Sequence, residues 1–217
     1  MMDHDDFDHE PVRGLPQMLP AGEEILWQGA PDWWALTRDS LSIKWVAGYF
    51  VLLFGWRTVV AAAEMPWTQA AVASSFYLVL GLLACALLAL TGWVQARTAV
   101  YTITNRRVIL RIGAALTMTL QFPFKWIGAA DLVTRSDGTG TIALRTLGDT
   151  RFSYMLLWPH MRPWRMAQTQ PALRCIPEAA KVARLLSEAV QAEGSMPRVT
   201  IERSEPQSTG ALPIPAE

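Results

Sequence analysis

The sequence predicts an α+β membrane protein: a two-helix transmembrane hairpin joined to a small, antiparallel, barrel-like β-domain that one C-terminal helix closes. Three observations predict it. Two long apolar runs, Ile43–Ala63 and Ala70–Trp93, are joined by Glu64–Gln69, which contains no Lys or Arg. The segment Thr98–Arg111 then changes to a period of two, as paired strands do. Finally, Pro177 opens a stretch in which Ala180, Ala183, Leu186 and Val190 recur at helical spacing.

Taken from the start, residues 1–18 read as a disordered tail, with Asp3, Asp5, Asp6, Asp8 and Glu10 close together. A polar, acidic start is unlike a secretory signal. Residues 19–42 hold a first strand near Glu24–Gln28 and a segment leading to the membrane. The hairpin takes residues 43–93. Ala70–Trp93 has no charged residue and is long enough to cross a hydrocarbon core of roughly 30 Å. In the first run the uncharged stretch Trp45–Trp56 is too short to span unless Arg57 is admitted. Arg57 can snorkel to the far interface beside Trp56; the alternative is contact with a partner or a pigment headgroup. Arg38 precedes the first run and Lys44 lies at its very start, and Arg97, Arg106 and Arg107 follow the second. The positive-inside rule therefore puts both termini on the cytoplasmic side. Gly81, Cys85 and Ala89 share one face of the second helix, and Gly48 and Gly55 one face of the first, so helices can approach closely there.

The β-domain spans residues 97–193. Tyr101 and Ile103 precede an Asn105-Arg106 turn, and Val108, Leu110 and Ile112 follow it. Leu116, Met118, Leu120 and Phe122 alternate with polar residues, which excludes a third span through Ile112–Phe124. Ile142 and Leu144 follow the turn Asp137–Gly140, and Phe152, Tyr154, Leu156 and Trp158 read as a last strand after Gly148-Asp149. Residues 194–217, rich in Pro, Ser and Thr, read as a second disordered tail.

The 217-residue chain has no net charge, so no general attraction to nucleic acid is expected. Ten tryptophans suit a chain that meets membrane interfaces. Cys85 and Cys175 lie in different parts of the chain and do not predict a disulfide. The sequence contains no phosphate loop, dinucleotide glycine pattern, zinc motif or nucleophile elbow, and of the three histidines only His160 lies outside the acidic tail. An enzyme is accordingly not expected. Arg106, Arg107 and Arg111 are candidates for contact with anionic lipid. The strip Leu157–Arg165 gathers Trp158, His160, Arg162 and Trp164 together with Pro159 and Pro163. Trp and Arg are the residue types that dominate binding hot spots, so Trp158, Arg162 and Trp164 are candidate partner anchors. The same residues can instead cap the barrel end, with His160 bonded locally. A third reading makes His160 the axial ligand of a tetrapyrrole metal.

Leu19–Trp33 (LPAGEEILWQGAPDW) and Tyr101–Val108 (YTITNRRV) resemble the opening and resuming strands of membrane-attached bacterial PH-like domains. With Leu157–Trp164 (LWPHMRPW) and Arg174–Pro177 (RCIP), the chain resembles the photosynthetic complex assembly proteins of purple phototrophic bacteria over roughly Leu19 to Ala189. The resemblance implies a hairpin inserted into a PH-like β-barrel between its first strand and the strand near Thr98. It also implies an assembly factor in the cytoplasmic or intracytoplasmic membrane. Its implied partners are reaction-centre subunits and light-harvesting 1 polypeptides, together with further copies of itself. No catalytic residues carry over. A carrier holding bacteriochlorophyll on His160, and a lipid-binding adaptor using the three arginines, are the competing expectations.

Overall fold

The computed structural model describes residues 12–113, 117–148, 152–163 and 169–195. Strand β1 (Ile25–Gly29) is followed by a short helix α1 (Trp33–Ser40), then by the long helices α2 (Ile43–Ala61) and α3 (Trp67–Thr98). Strands β2 (Val100–Thr104), β3 (Arg107–Ile112) and β4 (Met118–Pro123) lead through a 3-10 turn at Phe124–Trp126 into β5 (Ile127–Thr134) and β6 (Gly140–Thr146). A single helical turn α4 (Tyr154–Leu157), strand β7 (Ala172–Ile176) and helix α5 (Ala179–Ser195) complete the order.

Helix α1 was not legible in the sequence. Asp32 caps it, accepting a hydrogen bond from the Ala35 N–H at 2.7 Å. Helix α2 has 19 residues and extends about 28 Å. Helix α3 has 32 residues and extends about 48 Å, beyond the roughly 30 Å of a hydrocarbon core. Both are long and apolar enough to cross a membrane, and little of either is buried within the protein. They fold back on each other around Gly81, where a Cβ would run into the Phe50 ring. Gly81 therefore serves packing within the hairpin. Gly48 and Gly55 have nothing within 4 Å of a Cβ, so the face they share on α2 is left open.

The β-domain consists of a four-stranded sheet in the order β1-β2-β3-β4 and a three-stranded sheet in the order β5-β6-β7, with antiparallel pairing throughout. Leu110 faces Leu120 across β3 and β4, and Val108 faces Phe122, so the alternation read in the sequence places one apolar face inward. The closed barrel that was expected is not formed: no hydrogen-bonded ladder joins the two sheets among the described residues. Pro123 ends β4 without an N–H to donate, and buried Phe124 turns the corner into the second sheet. Helix α5 covers the gap. Ala179, Val182, Leu186 and Ala189 pack onto a core with Tyr101, Ile103, Val108, Leu110 and Phe122 of the first sheet and Ile142, Leu144 and Leu173 of the second.

Several expectations are corrected. The segment with Phe152, Tyr154 and Leu156 is not a strand; it forms α4, in which Leu157 is buried while Met155 and Leu156 are exposed. The last strand is β7, and β5 is a further strand that the sequence did not announce. The buried face of α5 begins at Ala179, not Ala180, which is exposed. Residues 12–18 do not belong to a disordered tail: Val12 bridges Leu15, and Leu15 is buried. Residues 1–11 and 196–217 lie outside the described residues.

Candidate interaction surface

The hairpin and the β-domain meet through α1. Thr37 of α1 packs against Gly92 of α3 so closely that a Cβ there would collide with the Thr37 hydroxyl. Ala35 and Leu36 are buried together with Ala96 of α3 and Cys175 of β7. The Asp32 N–H donates to the Cys175 carbonyl at 2.8 Å. Arg135, just after β5, forms an ion pair with Asp39 at the end of α1, and Arg38 reaches Asp137 in the β5–β6 turn at 2.6 Å. Arg38 holds the Asp137 carboxyl well below the usual carboxylate range. At the other junction only Ala99, itself buried, separates α3 from β2. Two short connections and one wedged helix thus fix the membrane-type helices to the domain.

His160 lies in the interior. It is 2% exposed, and its Nδ1 lies 2.6 Å from the Tyr101 hydroxyl. The Arg174 N–H donates to that hydroxyl oxygen at 3.4 Å, so the Tyr101 proton is directed at Nδ1 and the imidazole accepts. Burial, reinforced by the positive charge of Arg174, pushes the His160 pKa down to about 3. Burial likewise raises the Tyr101 phenol far above its ordinary value. This neutral pair ties the segment after α4 to the first sheet. The expectation of His160 as a pigment ligand is not supported, because a macrocycle has no access to an imidazole enclosed in this way.

Arg162 is committed to a partly exposed ion pair within the protein. Its guanidinium donates to Asp131 at 2.6 Å, and Arg145 reaches the same carboxylate oxygen at 3.1 Å. Those two arginines lower the Asp131 pKa. Arg162 is therefore a latch for its own segment and not a free anchor. Trp158 is partly exposed at 39%, and Trp164 lies outside the described residues. Arg57 is exposed on α2, one turn before its end.

The three arginines proposed for lipid contact do not act together. Arg107 donates to both oxygens of Glu23, at 2.7 and 2.5 Å, and to Gln121 at 2.6 Å. For Glu23, burial alone would raise the pKa, but the bonds from Arg107 and Thr104 outweigh it and lower it. Arg111 is buried, with Nη1 3.4 Å from the Thr98 carbonyl. Only Arg106 is exposed, in the β2–β3 turn, on the order of 15 Å along β2 from the end of α3.

The exposed apolar surface lies elsewhere. A groove of about 230 Å³ runs between β4 and the end of β6, lined by Leu120, Phe122, Trp126, Leu147 and Phe152. Trp126 and Leu147 are more than half exposed, and the Leu147 N–H donates to the Trp126 carbonyl at 2.7 Å, holding the two side by side. Phe152 stacks edge-on against Phe122 at 5.6 Å. Exposed Met155 and Leu156 follow on α4, and Trp158 ends it. An apolar groove lined by Trp126, with exposed apolar residues on α4 and Trp158 at its end, has the composition of a protein-binding surface. Sequence reasoning found Trp158 but missed Trp126 and Leu147, whose signal was only an apolar residue beside a turn. Among the described residues no group of three His, Cys, Asp or Glu side chains could hold a metal ion.

The chain is similar, at 47% identity over 99% of its own length and 99% of the relative's, to an uncharacterized 23.7 kDa protein in the puhA 5′ region of Rhodobacter capsulatus. No solved structure matches it. The bacterial PH domain model matches residues 47–190, which takes in most of α2, all of α3, strands β2 to β7 and most of α5. Two antiparallel sheets with a C-terminal helix over their open side, and a family match over more than half the chain, lead to one conclusion: the protein belongs to the bacterial PH domain family.

Proposed function

We propose that this protein is an integral membrane assembly factor for the photosynthetic reaction centre, of the PuhB type, acting by protein–protein contact and not by catalysis. Its partners would be reaction-centre subunits and light-harvesting 1 polypeptides. The observation that carries the reading is a pair of exposed apolar faces, one on the hairpin and one on the β-domain, joined by short connections and the packing of α1. The open face of α2, with Gly48, Gly55 and exposed Trp45, Leu52 and Trp56, offers small-residue notches to a neighbouring helix or a second copy. The groove at Trp126 and Leu147 offers the β-domain's apolar patch to a second contact. The relative in the puhA region supports a photosynthetic setting through a location consistent with the puh locus.

Both long helices would span the membrane. Arg38 stands before α2, Lys44 in its first turn and Arg97 near the end of α3, which supports a cytoplasmic β-domain. The length of α3 supports the same arrangement, since its last turns would stand clear of the hydrocarbon where α1 packs. A clean deletion of the gene is expected to lower assembled reaction centre while pigment synthesis continues. The protein purified from phototrophic cells is expected to bring reaction-centre or light-harvesting 1 subunits with it. Normal reaction-centre levels in the deletion strain would overturn the proposal. The readings based on bacteriochlorophyll at His160 and on lipid at Arg106, Arg107 and Arg111 have no comparable support, because most of those side chains are bonded within the protein.

A further inference from the structure

We infer that the outer face of the second sheet carries a binding site for a phosphate group, centred on Arg174. A cavity of about 150 Å³ lies there, lined by Asp131, Arg135, Thr141, Arg162 and Arg174 among others. Arg174 is 5% exposed, yet its Nε is buried without a hydrogen-bond partner. Its Nη1 is occupied by the Met161 carbonyl at 2.9 Å. A buried guanidinium N–H is costly to leave unsatisfied, and guanidinium groups hold phosphate oxygens through paired hydrogen bonds.

Charge points the same way. The lining holds three arginines against one aspartate, an excess of two positive charges. The neighbouring pairs do not change this balance: Arg135 is matched by Asp39, and Arg145 joins Arg162 on Asp131. An excess of two matches a phosphate monoester or inorganic phosphate near neutral pH. The volume is below the roughly 300–1,000 Å³ of sites that enclose larger ligands, so a phosphate group enters and a tetrapyrrole does not. Because Asp39, which holds Arg135, lies just before α2, the phosphate can belong to a lipid headgroup or to a soluble molecule.

The test uses the full chain in nanodiscs of neutral phosphatidylcholine, titrated with inorganic phosphate at constant ionic strength. Phosphate is expected to raise the unfolding temperature saturably, with Arg174→Lys and Arg162→Gln each weakening the response at least about tenfold. Arg174→Lys keeps the charge and alters the guanidinium geometry, while Arg162→Gln gives a second reading if the first variant folds poorly. Arg106→Gln, on an exposed turn remote from the cavity, is expected to change nothing. A second arm replaces part of the phosphatidylcholine with phosphatidic acid, whose headgroup is a phosphate monoester, and omits free phosphate. Stabilisation that Arg174→Lys removes assigns the site to a lipid phosphate; a response to free phosphate alone assigns it to a soluble ligand. No saturable response to either, or one that both variants leave intact, overturns the inference. Reaction-centre assembly does not enter any of these readouts, so the result is separate from the proposed function.

Discussion

At the scale of single residues, His160 and Arg111 are buried, while Arg107 and Arg162 are held in ion pairs with Glu23 and Asp131. His160, Arg162, Arg107 and Arg111 all drew notice as polar residues in apolar or juxtamembrane company. All four are held by neighbours distant in sequence. His160 illustrates the energetic consequence. Its pKa is lower in the folded state than the ordinary 6.5, so the unfolded chain binds the proton more tightly. The stability contributed by the neutral imidazole is fully present above pH 6.5 and is lost as pH falls toward 3. Between pH 6.5 and 5 the urea midpoint is expected to drop, with a limiting slope on the order of 1 kcal/mol per pH unit. His160→Gln, which keeps an acceptor for Tyr101, is expected to flatten that slope; a slope equal to wild type would place the proton elsewhere. The Glu23–Arg107 pair gives a second prediction. Arg107→Ala leaves a buried carboxylate unpaired and is expected to cost roughly 3 kcal/mol, of which adding Glu23→Gln recovers a part, as chemical denaturation of the single and double variants would reveal.

At the scale of elements, local pattern served where an element pairs with its sequence neighbour. The β2–β3 hairpin, the β3–β4 alternation and the β5–β6 turn were legible because adjacent strands pair antiparallel and one face is buried. The strand placed at Phe152–Trp158 failed because alternation over a few residues does not distinguish a strand from a helical turn with one buried leucine. Strand β7 escaped because both its faces are covered, which removes the alternation. Helix α1 depends on its packing. Replacing Gly92 by Leu is expected to push Thr37 away, at a cost of about 1–3 kcal/mol, seen as a lower unfolding temperature and faster proteolysis near residues 40–42. The groove allows the opposite experiment. Trp126→Ser with Leu147→Ser removes exposed apolar surface and is expected to leave stability nearly unchanged while reducing recovery of partner subunits. Equal recovery would remove the groove from the contact surface.

At the scale of the whole molecule, the arrangement that matters is the rigid junction of hairpin and domain. A flexible Gly-Ser segment inserted at Ala99 is expected to preserve the fold of each part and membrane insertion, yet to lower reaction-centre assembly, since the two surfaces would no longer hold a fixed relation. Undiminished assembly would mean that the parts act separately. Composition and periodicity by themselves determined that two long apolar helices precede an antiparallel β-domain with a C-terminal helix, because hydrophobic period is a local property of the chain. Two decisions were left to tertiary structure. One is that the sheets stay separate under α5 and do not close into a barrel. The other is that α1 wedges between α3 and β7 and gathers Asp39, Arg135 and Cys175 from distant stretches. Such contacts depend on which faces meet in space, and no repeat in the sequence records that. The same reason hid the cavity at Arg174: its lining comes from three strands and the segment after α4, and its charge excess exists only once they are folded together.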